Sequence, residues 1–453
     1  MDNTKQLETQ PIGQLLLTYA MPAVITQVIA SVYNIVDRIF IGQGVGAMAI
    51  AGLAVTFPMM NVIHAFGALI GAGSAARMSI VLGQKDLRWA EKILGNSTIL
   101  GIVLGLAVMC SGYAFMDQLL IRFGATGNTL QYAREYMMIV LPGMFLTTMT
   151  FNLTGLIRAT GYPHKAMYIL VGGAVLNMLL DPLFIFGFGW GIGGAAWATT
   201  LSMAATALVS TAHFLSPNSF IRFKRHAWEM KGYICRNILA IGLSPFLMNL
   251  VAAGVVALLN AQLVRYGGDL AVGAYGIANT FGTFLFLFIF GVCQGMQPIA
   301  GYNYGAGRTD RLIAVFKLTV KTTVIAGLFG SVVSCLFPGL LSRAFTTDPD
   351  LLDICRPALR YYMVMFPLIA FTISNSQFFM SIDKPWISIV TSLSRQLIFL
   401  APACYGLPLL LESAGWASGM TGIWLSFPIS DVAGAVLAVI LLYRQRGIFR
   451  KQL

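Results

Sequence analysis

Charged residues are scarce in this chain of 453 residues. Lys, Arg, Asp and Glu make up 10% of it, whereas an ordinary soluble domain carries roughly 25% charged residues. Hydrophobic residues make up 57%, and the mean hydropathy is +0.77. So few charges cannot solvate the surface of so much apolar mass, and the composition therefore predicts an integral membrane protein. It excludes a cytosolic enzyme, a secreted disulfide scaffold and a disordered protein.

The sequence also lacks the motifs of metal, nucleotide and thiol chemistry. Its six cysteines show no CxxC pair and no metal-ligand spacing, so we expect neither a disulfide framework nor a metal cluster. It has no GxxxxGK(S/T) nucleotide loop, no large polar domain and no pairing of a nucleophile with a base. We therefore expect no enzyme activity and no cofactor, and we expect an ion gradient rather than ATP as the source of energy.

Long apolar runs are what the sequence does contain. A bilayer-spanning helix needs about 20 mostly apolar residues, and the chain offers twelve such runs. They do not alternate polar with apolar residues, as β-barrel strands would, so we predict an all-α membrane protein. The predicted spans are 14–41, 48–80, 93–116, 135–157, 166–187, 192–215, 237–264, 271–301, 312–340, 358–381, 386–410 and 418–443.

The basic residues predict how these spans are oriented. The net charge is +12, which in a soluble protein would suggest nucleic acid, but here it indicates basic cytoplasmic loops, because Lys and Arg resist translocation. Of the 29 basic residues, twenty fall in loops on the side of the N-terminus and six in loops on the other side. We expect a multi-pass protein of the inner or plasma membrane, with both termini and residue 222 cytoplasmic, residue 348 external and no nucleic-acid partner.

The two halves of the chain echo each other around a polar, basic stretch at 216–236. Four pairs of prolines or glycines match at a spacing of 222 to 225 residues: Pro22 with Pro245, Gly83 with Gly305, Pro142 with Pro367, and Pro163 with Pro385. We predict two six-helix lobes, 1–225 and 226–453, with the connecting cytoplasmic loop beginning near 216. An even number of spans per half relates the lobes by a pseudo-two-fold axis along the membrane normal. This architecture favours a monomeric secondary transporter that works by alternating access.

Acidic residues within the spans need a reason, because a charge at mid-bilayer costs about 2.5–3.5 kcal/mol on insertion scales. Asp37 follows Tyr33 by four positions and Asn34 by three, so these side chains adjoin it on the helix. Asp181 follows Asn177 by four. Two such groups in one half indicate a single polar pocket that binds a small cation or a proton. The alternative is that each acid lies at the membrane interface, with Arg38 beside Asp37.

Other polar residues in the spans leave their roles open. Asn260 occupies the position that matches Asp37, so the second half carries an amide where the first carries an acid. His64 is a packing residue or a proton carrier, and Arg395 reaches the cytoplasmic side or pairs with a neighbour. Asp431 is a pocket acid or a helix-end residue. Pro22, fifteen residues before Asp37, creates either a static kink or a hinge that moves when the acid changes its charge.

Several motifs together carry a family resemblance. They are YNIVDRIFIG at 33–42, LGQKD at 82–86, RATGYPHKA at 158–166, NMLLDPLFIFG at 177–187 and GGAAWATTLS at 193–202. With them, the chain resembles the multidrug and toxic compound extrusion (MATE) transporters over nearly its whole length. The fit is best to the DinF-like and MepA-like branch, in which the acids cluster in the N-terminal lobe.

The resemblance implies an exporter that exchanges H⁺ or Na⁺ for bulky, mostly cationic and amphipathic organic compounds. The resemblance places the site that binds the proton or the cation, Na⁺, at Asp37, Asn177, Asp181 and Thr199. Beside them, it places Tyr33 and Asn152 in the substrate pocket, and the helical spacing to Asp37 adds Asn34. The NorM-type branch has its acids in spans seven and ten, where this chain has neutral residues, including Asn260 and Asn375.

Two other functions stay open at this point. A flippase for lipid-linked oligosaccharides, from the wider superfamily, would need a large basic cavity, whereas these spans offer acids and few arginines. A membrane receptor or scaffold that transports nothing would not need paired acids within the membrane. The partners we expect are therefore small organic substrates and membrane lipid.

Overall fold

The computed structural model describes residues 5–217, 219–415 and 418–449, and all regular structure in these ranges is helical. Helices are the natural result for apolar runs in a membrane, because a helix satisfies every backbone polar group within its own segment. Both chain ends, including Arg450 and Lys451, lie outside the described residues.

The described part of the first half contains six long helices and two short ones. A π-helical turn, Leu183–Gly187, directly follows α7. The helices are α1 (Lys5–Thr9), α2 (Ile12–Gly44), α3 (Ala47–Gly83), α4 (Leu87–Ala114), α5 (Met116–Arg122), α6 (Gly127–Ala159), α7 (Pro163–Pro182) and α8 (Gly191–Leu215).

The second half is also helical, with breaks inside several spans. The helices are α9 (Gly232–Gly305), α10 (Thr309–Leu336), α11 (Pro338–Arg343), α12 (Pro349–Met363), α13 (Phe366–Ser381), α14 (Pro385–Leu393), α15 (Ala401–Ser413) and α16 (Gly419–Arg444). A π-helical segment, Ser394–Leu400, joins α14 to α15 in one span. Helices α12 and α13 meet at a bend of 42° and together form another span.

Helix α9 holds two of the predicted spans, which a break at Gly268 separates. This glycine has φ 64° and ψ −164°, a backbone conformation that only glycine adopts without strain. A helix of 74 residues would be about 110 Å long, far longer than a bilayer is thick, so the break must divide it. Counted this way, the described residues contain six spans in each half, as the apolar runs predict.

The described helices form two compact units. The first unit contains the residues up to Asn249 together with Gly301–Gly307, and the second contains Leu250–Ala300 and the chain from Arg308 onward. The first unit therefore includes the early turns of α9, beyond residue 225. One reason is that the start of α9 packs closely on α3. A side chain at Gly73 on α3 would collide with the carbonyl group of Ile238 on α9. The division into lobes at 225 and 226 stays a prediction.

Paired glycines allow a second close approach within the first unit. A side chain at Gly83 would collide with the carbonyl oxygen of Tyr302, and one at Gly305 would collide with that of Ile80. These are the two glycines that match between the halves of the sequence. Helix α1 packs at the same place, where Leu7 is fully buried and its carbonyl accepts a hydrogen bond from Asn303 at 3.4 Å.

The basic loop between α8 and α9 is fastened to α4. The buried Glu91 pairs with Lys224 and His226, each at 2.7 Å. Lys92 donates to Glu229 at 2.8 Å, and this hydrogen bond lowers the pKa of the Glu229 carboxyl. The loop is therefore held by charge pairs to the end of a spanning helix.

Candidate functional site

Two buried acids form the centre of the candidate site in the first unit. Asp37 lies on α2 and is 8% exposed, and Asp181 lies on α7 and is fully buried. Their carboxyl groups are close enough for a hydrogen bond between them. Such a bond requires a proton on one carboxyl, because two ionised carboxylates repel each other strongly in a medium of low polarity. The pair therefore needs a positive charge, supplied by a proton or a cation.

The acids lie below the ends of their helices. Asp37 is seven residues before the end of α2, and Asp181 is six residues before the end of the π-helical turn. At 1.5 Å per residue these separations correspond to about 10 Å. Together with their burial, this depth agrees with an intramembrane pocket better than with an interfacial position. Arg38, the neighbour of Asp37, is exposed and lies over the ring of Phe57 at 4.5 Å.

Asn177 and Thr199 complete a polar wall beside Asp181. The Asn177 amide fits its surroundings when the nitrogen donates to Asp181 Oδ2 at 3.2 Å and the oxygen accepts from the Thr199 backbone N–H at 3.2 Å. Both residues are buried. The structure thus brings Asp37, Asn177, Asp181 and Thr199 together, as the resemblance implies.

Local sequence explains how α7 and α8 present these groups. Pro182 has no N–H for the carbonyl group of Met178, and the helix continues as the π-helical turn Leu183–Gly187. Such turns are frequent at functional sites. A side chain at Gly194 would collide with the backbone of Phe184, so the glycines at the start of α8 let that helix reach the turn. This approach positions Thr199 against Asn177.

The predicted pocket residues divide into two groups. Tyr33 is half-buried one turn before Asp37, and both carboxyl groups are within electrostatic range of its hydroxyl. Asn34 is exposed and donates to the carbonyl group of Ala30 in its own helix at 2.6 Å. The structure therefore brings Tyr33 to the acids and leaves Asn34 outside the group.

Asn152 belongs to a different polar cluster. It is fully buried, accepts from Ser74 on α3 at 2.7 Å and donates to Ser97 on α4 at 3.2 Å. These hydrogen bonds fasten α6 to its two neighbours, and neither of them involves Asp37 or Asp181. Its place in a substrate pocket stays a prediction.

Tyr136 is a site residue that the sequence reasoning missed. It lies on α6 at 2% exposure, within electrostatic range of both carboxyl groups and within hydrogen-bond reach of Thr199. One tyrosine in an apolar helix gives no signal of such a role, because only the packing of α6 on α8 reveals it. Its hydroxyl adds a third kind of oxygen to the wall of carboxyl and amide groups.

The remaining polar residues of the spans take up varied positions. Pro22 lies inside the unbroken helix α2, where its carbonyl accepts from Thr26 at 2.8 Å. His64 packs edge-on against Phe151 with ring centroids 5.9 Å apart. Asp431 lies in the middle of α16 rather than at its end, and it pairs with Arg395 at 2.7 Å. Arg395 thus pairs with a neighbour, as one of its two interpretations proposed.

The atoms that could bind an ion at the acid pair are hard oxygen atoms. Asp37 Oδ1 and Asp181 Oδ1 are buried and have no hydrogen-bond partner among the described residues. Within the same ranges, no three His, Cys, Asp or Glu residues are grouped as a transition metal would require. Carboxyl, amide and hydroxyl oxygens suit a proton or a small hard cation.

Comparison with known proteins identifies the family. The family model described as MatE matches the chain twice, over residues 22–183 and 245–405. The chain belongs to the MatE family. Each match begins at one of the paired prolines, Pro22 or Pro245, so the two matches agree with the duplication predicted from the sequence.

Named relatives and solved structures agree with this assignment. The multidrug export protein MepA of Staphylococcus aureus strain MSSA476 is 27% identical over 79% of this chain and 78% of its own length. MepA of Staphylococcus haemolyticus is 27% identical over 97% of this chain and 95% of its own. A solved structure described as the outward-facing conformation of a multidrug resistance MATE family transporter matches with a TM-score of 0.90 at 24% identity, over 100% of this chain and 99% of that one.

A structure of MATE in the bent conformation gives a TM-score of 0.92 at 23% identity, with 100% of this chain and 99% of that chain covered. The predicted all-α membrane fold with twelve helices in two lobes is therefore confirmed. Members of the family are transporters and not enzymes, and this chain is a multi-pass multidrug efflux transporter by family.

Proposed function

We propose that this MatE family member exports bulky, mostly cationic and amphipathic organic compounds in exchange for H⁺ or Na⁺, by alternating access. The pair of buried carboxyl groups of Asp37 and Asp181 is the main support, because it needs one positive charge from outside the protein. The names of the MepA relatives support a range of small organic substrates.

The exchange follows from competition for the same negative charge. A proton or Na⁺ neutralises the acid pair, and so does the ammonium group of a bound compound. Because two positive charges in one small pocket repel each other, occupancy by the ion disfavours the compound, and the reverse also holds. Export occurs when the compound is released outside as the ion binds, and the ion then leaves on the inside.

The ion binds, on this proposal, at Asp37, Asn177, Asp181 and Thr199, with Tyr33 beside the acids. A proton joins the two carboxyl groups, whereas Na⁺ would use their free Oδ1 atoms and the neighbouring hydroxyl oxygens. Exchange of one H⁺ for a monovalent cation moves no net charge, so the pH gradient drives it. One pH unit supplies about 1.36 kcal/mol, enough for a tenfold gradient of the compound.

Pro22 acts as a hinge in this scheme. The proline leaves the carbonyl group of Thr18 without its helical N–H donor, which removes one of the hydrogen bonds that keep α2 straight. Asp37 lies fifteen residues further along the same helix, about 22 Å away. A change in the charge of Asp37 therefore favours one curvature of α2 over the other.

The protein lies in the plasma membrane as a monomer in contact with lipid, with the N-terminal side in the cytoplasm. In a cysteine-free variant, we expect Thr347→Cys to react with an impermeant thiol reagent in intact cells and Arg222→Cys to react only after lysis. Both positions are exposed, and Thr347 avoids the helix cap at Asp348. Reaction of Arg222→Cys alone in intact cells contradicts the orientation.

The exchange is tested with purified protein in liposomes that contain a fluorescent organic cation. A pH gradient and a Na⁺ gradient are imposed separately, and each is collapsed with an ionophore as a control. We expect one of them to drive transport in wild type and in Asp310→Asn, which removes an exposed acid, but not in Asp37→Asn. Movement of a lipid-linked oligosaccharide without a gradient would instead favour a flippase.

A further inference from the structure

A second charged pair lies deep in the second unit, on α14–α15 and α16. Arg395 is ten residues into its span, about 15 Å from the end, and Asp431 is near the middle of α16. A charge at this depth is costly and marks a functional site by default. The exchange proposed for Asp37 and Asp181 makes no use of it.

The geometry of this pair leaves most of its hydrogen-bonding capacity unused. Arg395 Nε donates to Asp431 Oδ1 at 2.7 Å, and the two side chains are 14% and 1% exposed. Among the described residues, Asp431 Oδ2 and the two terminal amino groups of Arg395 have no partner. A pair that served only to join two helices would favour two parallel hydrogen bonds. The terminal amino groups therefore remain available to a ligand.

Aromatic rings lie one helical turn from the Arg395–Asp431 pair. Phe427 precedes Asp431 by four residues on α16, and the charge of Arg395 is within electrostatic range of the hydroxyls of Tyr275 on α9 and Tyr362 on α12. Phe427 stacks parallel to Tyr275 with ring centroids 6.1 Å apart, and it meets Tyr362 edge-on at 5.1 Å. Leu397 is exposed further along the same span. Arg395 thus pairs with an acid that lies one turn from a cluster of aromatic rings in the second unit.

The charge of this site is opposite in character to that of the acid pair. Asp431 is already neutralised by Arg395, so it offers no net negative charge to a cation. The unused groups are N–H donors on a cation, and such donors bind carboxylate oxygens. The rings beside them offer stacking surfaces to a flat molecule.

We propose that Arg395 binds the carboxylate of flat aromatic compounds in the second unit, with Asp431 holding and partly neutralising the guanidinium. The exporter would then accept zwitterionic and anionic aromatic compounds as well as cations. The proposal rests on the proposed export function only for its role in transport, because binding can be measured by itself.

The test compares three probes that share one ring system: pyrenebutyrate, its methyl ester and a pyrenebutyl trimethylammonium salt. Each is titrated onto purified protein in nanodiscs, with empty nanodiscs as the blank. We expect Arg395→Met to weaken binding of the carboxylate at least tenfold and to change binding of the ester less than twofold. Arg395→Lys, which keeps the charge, should lose only part of the affinity.

Asp431→Asn separates a binding role from a structural one. Removing the counter-charge while keeping the size leaves the guanidinium with its full positive charge, so we expect carboxylate affinity to rise severalfold. A merely structural pair predicts that the Arg395 and Asp431 variants lose thermal stability together, with no preference between carboxylate and ester.

The proposal is wrong if wild type binds the ester as tightly as the carboxylate, if Arg395→Met binds the carboxylate normally, or if Asp431→Asn weakens its binding. Should Arg395→Met fail to fold, the direction of the Asp431→Asn effect decides the matter. The trimethylammonium probe distinguishes this failure from that of the export proposal, because its binding should depend on Asp37 and not on Arg395.

Discussion

The two halves of this transporter place charged groups on neighbouring helices in two different ways. In the first half, Asp37 meets Asp181, so that two carboxyl groups lie side by side. In the second half, Asp431 meets Arg395, and the pair is already neutral. Both halves keep the matching prolines and glycines. The comparison shows that a shared helical scaffold can present sites of opposite character when only a few side chains differ.

The difference in charge predicts a difference in coupling. A pair of carboxyl groups must gain a proton or a cation to remain buried, so its occupancy follows the ion gradient. A neutral ion pair has no such requirement. We therefore propose that ion coupling belongs to the first half.

The largest expected effect comes from removing one acid of the first half. We expect Asp37→Asn and Asp181→Asn to insert normally and to reduce gradient-driven export to the level of empty liposomes, because each variant removes one of the two carboxyl groups that share the proton or cation. The measurement is efflux of a fluorescent cation at matched protein amount. Asp310→Asn, at an exposed acid on α10, serves as the control, and full export by both pocket variants contradicts the coupling model.

A smaller but still large effect is expected at the proline of α2. Pro22→Ala restores the missing backbone donor and straightens the helix that carries Asp37, so we expect most of the export to be lost while the protein still inserts. Pro245→Ala is the matched control, since Pro245 occupies the corresponding position in the second half, on a helix without the acid. Equal export rates for Pro22→Ala and wild type would show that the kink is only structural.

The smallest effect is expected at Asn260, the counterpart of Asp37. Its side-chain oxygen has no partner among the described residues, and Asn260→Ala removes no charge. We expect its export rate to stay within about threefold of wild type, a change of less than about 0.7 kcal/mol in the barrier. A defect as severe as that of Asp37→Asn would move the coupling site to the second half.

The fold and part of the site follow from the sequence for clear physical reasons. Apolar runs of sufficient length specify spanning helices. An acid within such a run is costly enough to make it a candidate for function, which is how Asp37 and Asp181 were chosen, and the structure places these two acids together. Helical spacing joined Asn177 to Asp181 correctly. The same spacing rule failed for Asn34, because a residue three positions from Asp37 lies beside it on the helix, and here that side is exposed.

Contacts between helices that are far apart along the chain could not be predicted from the sequence. Thr199 came only from the family resemblance, and Tyr136 was missed, because which face of α6 or α8 meets the acids depends on how the helices rotate and pack. The pairing of Arg395 with Asp431, 36 positions apart, has the same origin. A π-helical segment begins near Asp181, and another begins next to Arg395. The amino-acid composition did not predict either segment.

The most direct test of the central claim is a count of protons released when an organic cation binds to the purified protein. The protein is held in weakly buffered solution with a pH indicator, and a saturating cation is added with and without Na⁺. If the ion and the compound compete for Asp37 and Asp181, wild type should release about one proton per bound cation, or one Na⁺ in its place, and Asp37→Asn should release neither. Tight binding of the cation by wild type with no release of H⁺ or Na⁺ would contradict the account.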